Sequence, residues 1–414
     1  MVPRETRLEG LLFCVSIASP VRFLLLSSEH SEMPRNASPL EFRVIAAKGR
    51  AVFAARDITA GEHLIVERPL LAMALPESRE SIVACEKCCR PVGTIALQLC
   101  HLTTCEHRSI ESVPLVDDEL AGNVPCRHGC AARFCSTDCE DESAPAHALL
   151  CSANRNAPAK AALARFEKHA FSTHETFLFG ARMVASAHVK GTADLDQFCC
   201  APWWEISEEG MVKTPREVHE ARDVADESRR LLLAALPPAS SAKVKAWLSL
   251  EVWGGMLGAA RRNALCVSLT HPVDEWAGAV RGWRQQLQDT DGEDEGEGEG
   301  EEEGGEATDA ILEQLPMPMP DALWTALYAR IACVNHDCSP NAEVHWLGEG
   351  SEATLLARRA IPSGAEISIT YIDDNERVSF RERRASLRDY GFECACAKCT
   401  CEEGWTRRLR PRRE

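Results

Sequence analysis

The stretch Asn335-His336-Asp337-Cys338-Ser339-Pro340-Asn341 decides how this chain is read. In one polar run it sets amides and an imidazole able to pair with a purine edge, a lone thiol, and a proline that ends the run. Downstream stand Ile369-Thr370-Tyr371, a phenol closing an apolar strand, and then Cys394-Ala395-Cys396-Ala397-Lys398-Cys399. Cys338 with Cys394, Cys396 and Cys399 makes four thiolates, the number that closes a tetrahedral zinc site, with Cys401 as an alternative ligand. For Cys338 the plainer role is a buried inert thiol, and the spacing to the triplet favours ligation over it.

A second cysteine block lies upstream. It reads Cys85-x2-Cys88 and, after a gap, Cys126-x3-Cys130-x4-Cys135-x3-Cys139-x7-His147-x3-Cys151. Seven thiols and one imidazole suffice for two closed zinc sites. We expect interleaved pairing: Cys85, Cys88, Cys135 and Cys139 on one ion, and Cys126, Cys130, His147 and Cys151 on the other. Cys89 is an alternative to Cys88, while Cys100, His101, Cys105 and His107 form either a further ligand set or plain loop. Closed sites leave no open coordination position, so all three ions are expected to be structural, bracing segments too small to have a core of their own.

The chain has 414 residues and 20 cysteines. Clustered thiols at metal-ligand spacing, without a convincing signal peptide, point to a reducing compartment in which zinc replaces disulfides as the staple. The apolar run at 11–26 is broken by Pro20 and Arg22 and is too short for a membrane span; a start at Met33 or an organelle transit peptide remains open. The net charge of −17 is concentrated: residues 289–306 hold 11 acidic and no basic side chains, leaving −6 elsewhere. That run is expected to be a solvated, disordered loop. Direct DNA binding is unsupported, although Arg407, Arg408, Arg410, Arg412 and Arg413 form a small basic tail, read first as solvated disorder.

Short strands are expected from 42 to 46, 51 to 54 and 63 to 67. A strand-glycine-strand phrase, Arg56-Asp57-Ile58-Thr59-Ala60-Gly61-Glu62-His63-Leu64, returns as Arg359-Ala360-Ile361-Pro362-Ser363-Gly364-Ala365-Glu366-Ile367. Two unrelated hairpins would produce the same echo. Between these ends, 159–188, 216–236 and 243–257 carry helical patterning.

Four signals in fixed order, Lys48-Gly49-Arg50, the Cys/His block, the Asn335 heptapeptide with Tyr371, and Tyr390-Gly391-Phe392-Glu393-Cys394-x-Cys396-x2-Cys399, resemble the SET-domain lysine methyltransferases with an inserted MYND-type zinc finger. The chain is most similar to the SMYD-like, plant trithorax-related SET-and-MYND class, over about residues 41–401. The resemblance implies an α+β chain: a β-rich SET fold with a pseudoknot through which the Asn335 strand threads, built from 41–84 and 307–376. Added to it are a MYND-like finger at 85–151, a helical insert at 152–288, the acidic loop at 289–306, a post-SET zinc cluster at 377–401 and a basic tail at 402–414. Residues 1–40 are expected to be a leader, disordered or lying ahead of the native start.

The resemblance further implies S-adenosylmethionine as cofactor. Lys48, Gly49 and Arg50 would meet its methionine end, Gly49 by lacking a Cβ and Arg50 by pairing with the carboxylate. Asn335 and His336 would meet the adenine and amino groups, largely through backbone and amide functions; Phe392 would stack on the ring. Tyr371, Tyr390 and Asn263 complete the expected cofactor surface, Asn263 being equally readable as a surface turn residue. Tyr371 is the expected catalytic phenol, and Tyr328 is placed on the lysine channel.

One departure from the family pattern is Ala51 where glycine is usual, which would disturb the cofactor loop if that position needs a positive φ. Another is the extra residue between Cys126 and Cys130, for which a changed turn with retained ligation is expected. The implied acceptor is a protein lysine, first on histones, with non-histone proteins as the alternative. A catalytically silent adaptor, holding proline-rich peptides on the finger, is the reading from another class. The chain is expected to act as a monomer in nucleus or cytoplasm.

Overall fold

The computed structural model describes residues 38–45, 48–103, 119–191, 198, 200–207, 210–237, 244–245, 247–290, 308–316, 318–348, 350–372 and 378–409. Its strands are β1 (Leu40–Ile45), β2 (Gly49–Ala54), β3 (His63–Glu67), β4 (Leu71–Ala74), β5 (Gly93–Thr94), β6 (Glu119–Ala121), β7 (Val124–Pro125), β8 (Arg133–Phe134), β9 (Ala264–Leu269), β10 (Ala322–Leu327), β11 (Asn335–His336), β12 (Ala342–His345), β13 (Ala353–Ala357) and β14 (Glu366–Ile369). Three small sheets, β1-β2-β14-β11, β4-β10-β9 and β12-β13-β3, share one core that includes Val52, Ile65, Trp324, Val334, Leu355 and Ile367.

The echoed glycine phrases lie in one domain. Ile58 and Ile361 exchange backbone hydrogen bonds of 2.9 Å, and Gly364 N–H donates to the Ala54 carbonyl at 2.8 Å. Gly61 and Gly364 have φ of +79° and +80°, a turn conformation in which a side chain is strained. β11 pairs in parallel with β14, Asn335 opposite Ser368. The Asn341 amide extends the contact: its Nδ2 donates to the Glu366 carbonyl and its Oδ1 accepts from Ser368 N–H, both at 2.9 Å. The heptapeptide is thereby fixed at both ends to the strand that delivers Tyr371.

The turn before the heptapeptide is held by Glu67, whose carboxylate accepts from the N–H groups of Ala329 (2.9 Å), Arg330 (3.0 Å) and Ile331 (3.0 Å). Charge-assisted bonds of this kind contribute more than neutral ones. Glu67→Gln should lower unfolding free energy by about 1–3 kcal/mol, seen as a lower urea midpoint at unchanged slope.

The helical region has a separate core. The expected helical stretch 159–188 forms two helices, Ala157–Thr173 and Thr176–Lys190, because His174 is extended and its Nδ1 accepts from Thr176 N–H at 3.2 Å. Helix Pro215–Ala235 starts at a capping box of Thr214 and Glu217, and helix Leu250–Asn263 at Ser249. Gly180 lets two helices approach: a Cβ there would lie 2.8 Å from Trp253 and 2.7 Å from Leu257. Helix Leu250–Asn263 then runs directly into β9, carrying Asn263 to the edge of the SET core.

Two expectations about tails are changed. Helix Pro272–Thr290 takes in the first two residues of the acidic run, and the rest of that run lies outside the described residues. Helix Ala397–Leu409, whose first turn holds the cluster residue Cys399, carries Arg407 and Arg408, where a disordered tail is expected; Arg410, Arg412 and Arg413 lie outside the described residues. Residues 1–37 do also. Among the described residues no helix is long and apolar enough to cross a membrane.

Candidate active site and metal clusters

The structure gathers three sets of metal-ligating side chains: Cys85, Cys88, Cys135 and Cys139; Cys126, Cys130, His147 and Cys151; and Cys338, Cys394, Cys396 and Cys399. In each, the ligand atoms lie within 4.8 Å of one another. Four sulfurs around zinc at about 2.3 Å would be about 3.8 Å apart. The spacings here include 3.5 Å for Cys88 to Cys135, 3.9 Å for Cys126 to Cys151, and 3.9 Å for Cys338 to Cys394. Donor type, number and spacing therefore fit three closed zinc sites.

The interleaving follows from local structure. The β7–β8 hairpin sets Cys126 and Cys135 at opposite ends, and helix Thr137–Leu150 returns Cys139 and His147 to different clusters. The extra residue before Cys130 is absorbed by Gly129 at φ +78°, whose N–H donates to the Cys126 carbonyl at 2.8 Å. Cys89, Cys100 and Cys401 stand outside the clusters, while Cys105 and His107 lie outside the described residues. Burial pushes Cys130 up to about 12 and Cys139 and Cys399 to about 11, whereas the hydrogen bond from Cys88 holds Cys85 down at about 5. Full thiolate ligation thus needs a cation. Among the described residues Cys266, on β9, departs from the pattern expected of a reducing compartment, being disulfide-bonded.

A cavity of about 850 Å³ opens between the SET core and the third cluster. Lys48, Gly49, Arg50, Asn263, Asn335, His336, Tyr371, Tyr390 and Phe392 all line it. Gly49 has φ +73° and a Cβ there would meet nothing within 4 Å, so conformation rather than crowding within the chain favours glycine, and the open side is free to admit a ligand. Lys48 is committed to Glu366 at 2.6 Å. Arg50 has no ion pair among the described residues.

Asn335 and His336 spend their side chains internally. Asn335 Nδ2 donates to the Arg50 carbonyl (3.0 Å) and to Glu366 (2.9 Å). His336 Nδ1 accepts from Tyr371 N–H at 3.0 Å, which places the ring proton on Nε2, 3.2 Å from Cys338 Sγ. Contact with a ligand is left chiefly to their backbone. The Tyr371 hydroxyl donates to the Val334 carbonyl at 2.7 Å, and Tyr390 donates to the Tyr371 carbonyl at 3.0 Å. Burial pushes the Tyr390 phenol up, so it remains a protonated donor. The Tyr371 and Tyr390 rings are 5.0 Å apart, and Phe392 meets Tyr371 edge-on at 6.2 Å.

Tyr328 requires correction. It is fully buried and absent from the cavity lining; its hydroxyl donates to the Ser351 carbonyl at 2.6 Å and accepts from Trp346 Nε1 at 3.0 Å. Asn263 is no surface turn residue: it is buried, with Nδ2 bonded to the Ala259 carbonyl at 2.8 Å. The concern over Ala51 also falls away, because Ala51 is a buried strand residue without a positive φ. Sequence reasoning missed Trp346, Val344, Leu265 and Arg262 on the cavity wall. None of the four left a signal in the sequence; in the structure Arg262 sits so close to Gly391 (φ +81°) that a Cβ there would strike its guanidinium at 2.5 Å.

Comparison with known proteins bears on the family of the chain rather than on single residues. Residues 219–372 match the SET domain family, a span that begins inside the region expected to be a helical insert and ends just beyond Tyr371. The histone-lysine N-methyltransferase ATXR2 of Arabidopsis thaliana is 27% identical over 320 residues, 68% of this chain and 63% of that protein, so the match spans less than two thirds of ATXR2. The protein-lysine N-trimethyltransferase SMYD5 of Homo sapiens is 25% identical over 384 residues, 87% of this chain and 85% of that protein. The histone-lysine N-methyltransferase set5 of Schizosaccharomyces pombe is 38% identical over 76 residues, 18% of this chain and 24% of that protein. The chain carries a SET domain and is homologous to the SET-and-MYND methyltransferases ATXR2 and SMYD5, with cysteine clusters that fit a MYND-type zinc finger.

Proposed function

We propose that this chain is a protein-lysine N-methyltransferase that uses S-adenosylmethionine. The observation that carries the reading is the single cavity on which Lys48-Gly49-Arg50, Asn335-His336, Tyr371 and Phe392 converge from remote segments. When bound, S-adenosylmethionine supplies an electrophilic methyl group. Gly49 would admit its methionine end, Arg50 would pair with its carboxylate and Phe392 would offer a ring face to the adenine.

The remaining work is alignment. A lysine amine, with a free pKa of about 10.4, reacts only when neutral, and an apolar wall of Val344, Leu265 and Trp346 favours that form by desolvation. With its proton given to the Val334 carbonyl, the Tyr371 oxygen keeps lone pairs to accept from the amine and turn it toward the methyl group. The three zinc clusters are closed and take no part in the displacement.

We take histones as the first acceptor, following the names of ATXR2 and set5, with action in the nucleus; SMYD5 points instead to other protein lysines. The finger is offered as a contact for proline-rich peptides. The silent-adaptor reading loses its main support, since Ala51 strains no loop.

Purified zinc-loaded chain, given labelled S-adenosylmethionine with core histones and with a cell extract, should label histones. Label on extract proteins alone would move the acceptor. No label on either, with no calorimetric binding of S-adenosylmethionine, would remove the enzyme reading.

A further inference from the structure

The bonds made by the buried Tyr328 phenol join the cavity wall to the first metal cluster. Trp346, which gives its indole N–H to that phenol, is half-buried and lines the cavity beside Val344. Ser351, which receives the phenol proton on its carbonyl, donates its own N–H (2.8 Å) and hydroxyl (3.1 Å) to the carbonyl of Cys88. Cys88 belongs to the first metal cluster. Gly350 packs so tightly that a Cβ would lie 2.6 Å from the same carbonyl. Polar contact is unbroken from the metal cluster through Ser351 and Tyr328 to the cavity wall.

The far end of this chain is stiff. Cys89 is fully buried at φ +65°, the one non-glycine residue with a positive φ among the described residues. Such a conformation persists only where the surroundings over-determine it. The near end lines the cavity. Trp346, Val344 and Leu265 pack on the SET core, whereas Tyr390 and Phe392 pack on the third cluster. Tyr371 belongs to both groups, so the two walls meet at the phenol where amine and methyl group would react.

We propose that Tyr328 is a positioning residue for the methyl acceptor: it fixes the Trp346 indole on the acceptor wall and ties that wall to the metal-braced knuckle at Cys88. The inference rests on the methyl-transfer reading for its functional half. Without the phenol oxygen the indole N–H loses its partner, and a half-buried ring can turn toward water, widening the acceptor end. The methyl-donor end, built from other segments, is untouched.

The test uses the full zinc-loaded chain labelled with 5-fluorotryptophan, its nine tryptophans resolved by 19F NMR and Trp346 assigned by its loss in Trp346→Phe. Tyr328→Phe should shift or broaden the Trp346 resonance and raise KM for core histones about tenfold, with kcat and S-adenosylmethionine Kd held within about twofold. Bound zinc should equal wild type. Gly350→Ala, which lies off the cavity and presses on the Cys88 carbonyl rather than its thiol, should move the same resonance from the finger side, and it carries the test if Tyr328→Phe does not fold. An unmoved Trp346 resonance with unchanged histone KM would overturn the proposal. An inactive wild type whose Trp346 resonance shifts in both variants would retire the methyl-transfer reading and leave the finger-to-cavity link standing.

Discussion

Tyr371→Phe is expected to lower kcat by about 10²-fold or more while S-adenosylmethionine binds with nearly wild-type affinity. The split follows from what the residue touches. Its N–H holds His336 and its carbonyl receives the Tyr390 phenol; both are backbone contacts that the substitution keeps. Only the hydroxyl is lost, and with it the bond to the Val334 carbonyl. That bond contributes about 0.5–1.5 kcal/mol to folding, too little to unfold the domain. The oxygen that would accept from the lysine amine goes with it, so the loss should fall on turnover. Single-turnover labelling beside calorimetry separates the two quantities. Turnover within about threefold of wild type would take the reacting phenol away from Tyr371.

Why the place of Tyr371 on the cavity was legible in the sequence while other parts of the cavity were not is a matter of range. Thiol spacings are local, and zinc accepts few ligand types, so the interleaved clusters could be written down before any fold was known. The glycine phrases were legible for a similar reason: Gly61 and Gly364 mark turns that other residues enter at a cost. Trp346 and Arg262 reach the cavity only because three sheets and a helix terminus close around it, and nothing in their neighbours' identities announces that. Tyr328 was misplaced by nearness in sequence. Seven residues before Asn335, it stands beyond the end of β10 and turns into the core, toward Ser351, rather than toward the cavity. Ala51 misled in the opposite direction, since a glycine expected on grounds of family pattern proved to be an ordinary strand position paired with Arg43. Backbone dihedrals at a single residue are not readable from its identity unless the turn around it demands them.

The third cluster carries the other large effect. Cys396→Ser should reduce bound zinc from three ions per chain to two and raise the S-adenosylmethionine Kd by about tenfold to a hundredfold. The route runs through two sides of the cavity. On one side, Cys338 receives the His336 Nε2–H at 3.2 Å, and the buried Arg383 guanidinium lies against Cys338 and Cys399 while pairing with Glu402 at 2.7 Å. On the other, Tyr390 and Phe392 pack directly on the cluster. Releasing the ion leaves these groups around thiols that no longer share a cation, Cys399 pushed up to about 11 by burial and Cys394 held down at about 3 by the hydrogen bond from Cys338. A base stacked on an aromatic ring is worth about 1–3 kcal/mol, and each 1.4 kcal/mol is tenfold in affinity. Loss of the Phe392 face therefore accounts for most of the expected range, and Phe392→Ala, with all three ions retained, should reproduce it. If Cys396→Ser loses one ion and binds S-adenosylmethionine as wild type does, the cluster braces only the C-terminal helix. If Phe392→Ala matches it in affinity, the ion acts through the ring it holds in place.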